Sequence, residues 1–217
     1  TLGSALTRVL SLDLSYETSS LGGDDLESWQ LVPGAAWTWR SGRAQDSGAA
    51  AVRAHATVKG SDPLLLSDTR FLYLTGGLKT RLPLGPRQRL ILRLDSGAVL
   101  TEDFDELPVS YRFFAGGDDS IRGYGFESIG PSNAEGDVIG GQYLLTASAE
   151  LEHQLSGQWA VAAFYDLGDA FTDTLDPQAA WGLGGRWRTD FIQVRLDVAV
   201  PEGRGLDAYR IHFGIGA

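Results

Sequence analysis

Cysteine is absent from the 217-residue chain. Its absence excludes a disulfide framework, a thiol nucleophile and a cysteine-ligated zinc. Positive charge is scarce as well: 18 Lys and Arg stand against 28 Asp and Glu, a net charge of −10. That balance argues against a nucleic-acid partner. No apolar run reaches the roughly 18 residues that a spanning helix needs. Histidine occurs three times, as His55, His153 and His212, with no spacing that suggests a metal pair or a catalytic triad. An initiating Met and a signal peptide are also missing, so the chain reads as a mature protein or a fragment. Glycine and aromatic residues, by contrast, are plentiful: 28 Gly, 6 Trp, 7 Tyr and 9 Phe. Many strands joined by tight turns would use such a composition.

The dominant pattern is strict alternation. In "FIQVRLDVAV" the residues Ile192, Val194, Leu196, Val198 and Val200 share one face, and Gln193, Arg195 and Asp197 share the other. A period of two is the strand signature. The pattern recurs in about ten segments, near residues 5–18, 27–40, 49–60, 68–83, 87–101, 142–155, 158–170, 177–188, 190–201 and 208–217. Several are longer than the roughly 5–6 residues usual for soluble strands and match the roughly 9–11 of a tilted membrane strand.

Tight turns ("PLGPRQ", "LSGQ", "RTDF") alternate with longer connections ("TSSLGGDDLES", "KGSDPLLLSD", "VPEGRGLD"). Short turns at one end and long loops at the other describe an outer-membrane β-barrel. Trp37, Trp39, Trp159, Trp181, Trp187 and Tyr209 fall on the apolar, lipid-facing side. Arg53, Lys59, Arg89, Arg93, Asp95, Glu150, Asp166, Arg186, Arg195, Asp197 and Arg210 fall on the side of a wet lumen. A soluble β-sandwich also alternates, but its strands are shorter and its polar face is the outer one.

One connection is far longer than the rest, from about residue 102 to 141, and it carries "RFFAGGDDSIRGYGFESIGP" (Arg112 to Pro131). This stretch resembles the loop motif of the outer-membrane assembly and secretion superfamily that includes BamA, TamA and the two-partner secretion transporters. The tetrapeptide Ile121-Arg122-Gly123-Tyr124, with Phe113, Phe114, Gly116 and Gly117 upstream, looks closest to the TamA branch. "ASAELE" (Ala147 to Glu152) and "FYDLGDAF" (Phe164 to Phe171) resemble the two strands that follow the loop in that superfamily.

The resemblance implies a loop folded back into the lumen, with Arg122 locked against Glu150 and Asp166, Gly123 making the turn and Tyr124 packed on the inner wall. Alternation places the two carboxylates on the lumen face independently. An Arg fork pairs bidentately with a carboxylate, and an unpaired charge there costs several kcal/mol.

The resemblance further implies a fold and a function. Residues 1–217 are expected to be the C-terminal portion of a sixteen-stranded transmembrane antiparallel barrel, all-β, with no POTRA modules present. The expected function is insertion or secretion of other outer-membrane proteins. Its partners would be nascent outer-membrane or autotransporter substrates, membrane lipid and an inner-membrane-anchored TamB-like protein, with no cofactor and no catalysis. A weak seam between first and last strands would open to receive a substrate strand. The other readings are a passive porin and a small barrel enzyme. A Ca²⁺ site in "GGDDLE" or "GGDDS" has no matching ligand spacing.

Overall fold

Residues that alternate in the sequence pair in the fold. A computed structural model describes residues 4–21, 24–42, 49–189 and 191–216. Ten strands run in order: β1 (Ser4–Leu21), β2 (Asp24–Ser41), β3 (Ala51–Ser61), β4 (Phe71–Pro83), β5 (Gln88–Thr101), β6 (Tyr143–Gln154), β7 (Trp159–Phe171), β8 (Gln178–Arg188), β9 (Gln193–Pro201) and β10 (Arg210–Gly216). They form one sheet in which each strand pairs antiparallel with its sequence neighbours. No pairing joins β1 to β10 among the described residues, so the sheet is not closed. No helix among the described residues is long and apolar enough to cross a membrane.

The burial pattern is inverted relative to a soluble protein. Leu10, Leu12 and Leu14 on β1, Trp29 and Trp39 on β2, Trp181 and Leu183 on β8, and Ile211, Phe213 and Ile215 on β10 are all exposed. Glu150, Glu152, Asp166, Arg186, Asp197 and His212 are all buried. Leu145 and Leu151 point outward and Glu150 inward, as period-two patterning requires. An apolar outer face suits lipid, and a charged inner face suits a lumen.

The β1–β2 hairpin departs from the expected boundaries. The segment 18–28 reads as a longer loop, yet pairing continues to Leu21↔Asp24. Beyond the apolar layer neither face has to be greasy, so alternation fades while the hydrogen-bond ladder persists.

The β5–β6 connection supplies most of the interior. Leu107, Tyr111, Phe113, Ala115, Ile121 and Ile129 from the loop are buried against Val32, Phe71, Val99, Ala170 and Ala180 of the wall. Burying each large side chain contributes about 1.5–3 kcal/mol, which offsets the entropy of ordering so long a loop. Short bridges Phe113↔Gly141, Ala115↔Ile129 and Ser132↔Val138 brace it internally.

Candidate functional site

Three of four successive strands, β6, β7 and β9, bring carboxylates to one spot because each carries an acid on its inward register. Ser148 of β6 pairs with Asp166 of β7, Asp166 with Ala180 of β8, and Gly184 of β8 with Asp197 of β9. Glu150 lies two positions along β6 on the same face. Arg122, at the loop's deepest point and only 5% exposed, enters this patch.

Every donor of the Arg122 guanidinium is used. Nε donates to Asp166 Oδ2 at 2.7 Å and Nη2 to Asp166 Oδ1 at 2.9 Å, a two-pronged pair. Nη1 donates to Glu150 Oε2 at 2.8 Å and to Asp197 Oδ2 at 3.1 Å. Nη2 also reaches Ser148 Oγ at 3.4 Å. The backbone N–H of Arg122 adds a bond to Asp166 Oδ2 at 3.1 Å. The guanidinium lies 3.4 Å from the centroid of the Phe164 ring, a cation–π contact in a desolvated place. Burial works to lower the Arg122 pKa, but the hydrogen bond and charge of Asp166, with those of Glu150, outweigh it and hold the pKa above its ordinary value.

Arg186 on β8 completes the arrangement. Its Nη2 donates to Glu150 Oε1 at 2.9 Å, and its Nη1 contacts Asp197. Glu152 in turn meets Arg89, Arg186 and Arg188. Four cations and four carboxylates thus form one network with no net charge, which is the condition under which buried ions are tolerated.

The remaining motif residues have separate places. Gly123 adopts φ +94°, the left-handed region where a side chain is strained, and a Cβ there would lie 3.1 Å from the Ala180 Cβ. Tyr124 packs against the buried cluster, its hydroxyl 3.4 Å from Gln178 Oε1 and the Ala179 carbonyl. Ile121 is fully buried. Phe113 stacks on Tyr73 at 4.9 Å, while the Phe114 ring lies over Gly140. The Gly116 N–H donates to Ser120 Oγ at 3.1 Å and the Gly117 N–H to the Ile121 carbonyl at 3.2 Å. These four residues shape the loop away from the ion network.

Several participants were not assigned from sequence. Alternation puts Asp197 and Arg186 on the inner face but gives them no partner, and it gives Ser148, Phe164 and His212 no role. The signal lay in the pairing: Ser148 sits opposite Asp166, and Asp197 opposite His212. The backbone N–H of Gly123 donates to His212 Nε2 at 2.9 Å. A ring that accepts at Nε2 carries its proton on Nδ1, and Nδ1 faces Asp118. The loop is thereby tied to β10 as well. Arg112, which opens the motif, donates to the carbonyls of Leu107, Asp105 and Ile139 and fastens the loop to itself.

Comparisons with known proteins follow this geometry. A family profile for the Omp85 superfamily domain matches residues 43–217. The outer membrane protein assembly factor BamA of Nitratidesulfovibrio vulgaris is 32% identical over 146 residues, which is 61% of this chain and 18% of that protein. The crystal structure of BamA from Haemophilus ducreyi lacking POTRA domains 1–3 superimposes with a TM-score of 0.65 at 18% identity, covering 88% of this chain and 42% of that one. The chain therefore spans about a fifth of the length of the curated relative it matches. The family profile sets the superfamily, and the two matched proteins, both named BamA, do not select the TamA branch. The ten-stranded antiparallel sheet with its long inward loop is an outer-membrane barrel fold, and the chain belongs to the Omp85 superfamily.

Proposed function

We propose that this chain is the C-terminal barrel portion of an outer-membrane assembly factor that inserts or translocates other outer-membrane proteins. The observation that carries the reading is the seating of the superfamily loop: Arg122 binds carboxylates from β6, β7 and β9 at once, and its neighbour Gly123 bonds to His212 of β10. A loop fastened across the lumen obstructs the free passage a passive pore relies on. A loop tied to β10 does couple the lumen to the strand whose outer edge would receive a substrate.

β10 suits that role. It pairs with β9 through seven register positions, the shortest ladder among the described strands. If its outer edge opens, that edge would present unpaired N–H and C=O groups to an incoming strand. In this reading the partners are nascent outer-membrane or autotransporter proteins and membrane lipid. In the TamA form of the reading, an inner-membrane-anchored TamB-like protein joins them. Arg122, Gly123, Tyr124, Glu150 and Asp166 hold the loop and catalyse nothing.

The test is assembly of an unfolded outer-membrane protein into proteoliposomes. The full-length protein carrying this barrel should accelerate folding of the substrate over empty liposomes, and Arg122→Ala should reduce that acceleration. Equal rates with and without the protein, together with a steady large conductance, would favour the porin.

A further inference from the structure

Four cations occupy one continuous register row on the inner face. Arg40 of β2 pairs with Arg53 of β3, Arg53 with Lys79 of β4, and Lys79 with Arg93 of β5. Like charges directly opposite on neighbouring strands destabilise a sheet, so four in succession is an arrangement that packing alone would not choose. Arg93 already has partners: it lies 3.5 Å from Asp95 and donates to the Ser120 carbonyl. Arg40 and Arg53 make no ion pair with a carboxylate among the described residues, and Lys79 feels Glu150 only at a distance. A pocket of about 350 Å³ opens against Arg40, Arg53 and Lys79.

The row begins near the end where β4–β5, β6–β7 and β8–β9 are joined by short turns, and it slants inward. Past Arg93 the same register continues through Ser148 to Asp166, the partner of Arg122. The row thus leads from one mouth of the lumen to the foot of the loop.

We propose that this row binds an acidic segment of extended polypeptide that enters from the short-turn end. The row stands on the inner face, opposite Trp39, Leu78 and Leu92, so bilayer headgroups lie on the wrong side of the sheet. Four positions on neighbouring strands span ~14 Å, and three acidic residues in alternation along an extended chain span ~13 Å. Guanidinium forks bind carboxylates bidentately. The identity of the ligand as polypeptide rests on the assembly reading; the binding does not.

The probe is a fluorescein-labelled extended peptide with Asp at alternate positions, compared with its Asn counterpart. Anisotropy is read with the full-length protein in neutral-lipid nanodiscs. The Asp peptide should bind more weakly as salt rises, and the Asn peptide should not bind. Arg53→Gln with Lys79→Gln should weaken binding by roughly tenfold or more, while Arg204→Gln in the β9–β10 loop should leave it unchanged. Because the double change removes opposed like charges, the barrel should remain folded, which a heat-modifiability gel checks. A second pair, Arg53→Glu with Lys79→Glu, should transfer preference to a Lys peptide.

Equal binding of Asp and Asn peptides overturns the proposal, as does wild-type affinity in the double variant. Binding of tripolyphosphate that the Asp peptide fails to displace overturns it in favour of a phosphate ligand. Should peptide binding hold while the liposome assay shows no assembly, the assembly reading fails and the acidic-segment site stands.

Discussion

Arg122 and Asp166, 44 positions apart in the chain, meet through three hydrogen bonds, two from the guanidinium and one from the Arg122 backbone. Asp166 has no exposed surface. Removing Arg122 therefore strands a carboxylate that cannot reach water. Arg122→Ala should destabilise the seated loop by about 3–5 kcal/mol, read as a fall in the urea midpoint or as faster hydrogen exchange across residues 112–131. Asp166→Ala should cost less, because Arg122 keeps Glu150 and Asp197. The double variant should lose less than the sum of the singles. Strict additivity would mean that the two residues do not act as a unit.

Arg122→Lys separates charge from shape. An ammonium keeps the charge but cannot span both Asp166 oxygens while also serving Glu150, Asp197 and Ser148. The loop should stay seated yet exchange faster than wild type and slower than Arg122→Ala. Equal behaviour of Lys and Arg would reduce the site to simple charge neutralisation.

Gly97 on β5 is a space for the loop. A Cβ there would meet the Phe113 ring at 2.3 Å, and the three atoms nearest to it all belong to that ring. Gly97→Ala should therefore displace Phe113 from its stack on Tyr73 and cost about 1–3 kcal/mol by overpacking. Adding Phe113→Leu should recover part of the loss. Thermal midpoints of the two single variants and the double variant decide the matter; no recovery would place the strain in the backbone.

Much of this was legible because the bilayer enforces alternation. Alternation alone locates every strand to within a few residues, since each must turn one face to lipid and the other to the lumen. The inward positions of Glu150 and Asp166 followed from the same rule. What alternation does not encode is register between strands. The pairing Ser148↔Asp166 depends on turn lengths and ladder alignment, so Asp197 and Arg186 were placed on the right face without their partners. His212 is silent in the sequence because a lone histidine on a strand carries no pattern; only the fold brings Gly123, 89 positions away, to its ring.

His212 offers a direct probe of the tie to β10. His212→Phe keeps an aromatic ring of similar size and removes the acceptor. The Gly123 N–H then loses its partner in a buried place, at a cost of about 1–3 kcal/mol. Hydrogen exchange at Gly123 should rise while the Arg122 ion network remains protected. Loss of protection at both would mean that His212 supports the whole loop rather than one bond.

The softness of β10 is the last point to test. Gly214 and Gly216 share its inward face near the strand's end, and glycine weakens a strand by leaving nothing to pack. The two positions are not equivalent. A Cβ at Gly214 would lie 2.4 Å from Arg195 Nε, whereas one at Gly216 meets nothing within 4 Å. Gly216→Val is therefore sterically free, and β-branching favours the strand by up to ~1 kcal/mol. The variant should fold at least as well as wild type by heat-modifiability. If opening at the β10 edge limits assembly, the same variant should slow substrate folding in proteoliposomes severalfold, because the firmer edge exchanges its pairing less readily. Gly214→Ala is the useful contrast, since it disturbs Arg195 and tests packing instead of strand stiffness. A Gly216→Val protein that is stable and fully active would remove edge softness from the mechanism and leave the loop as the element to pursue.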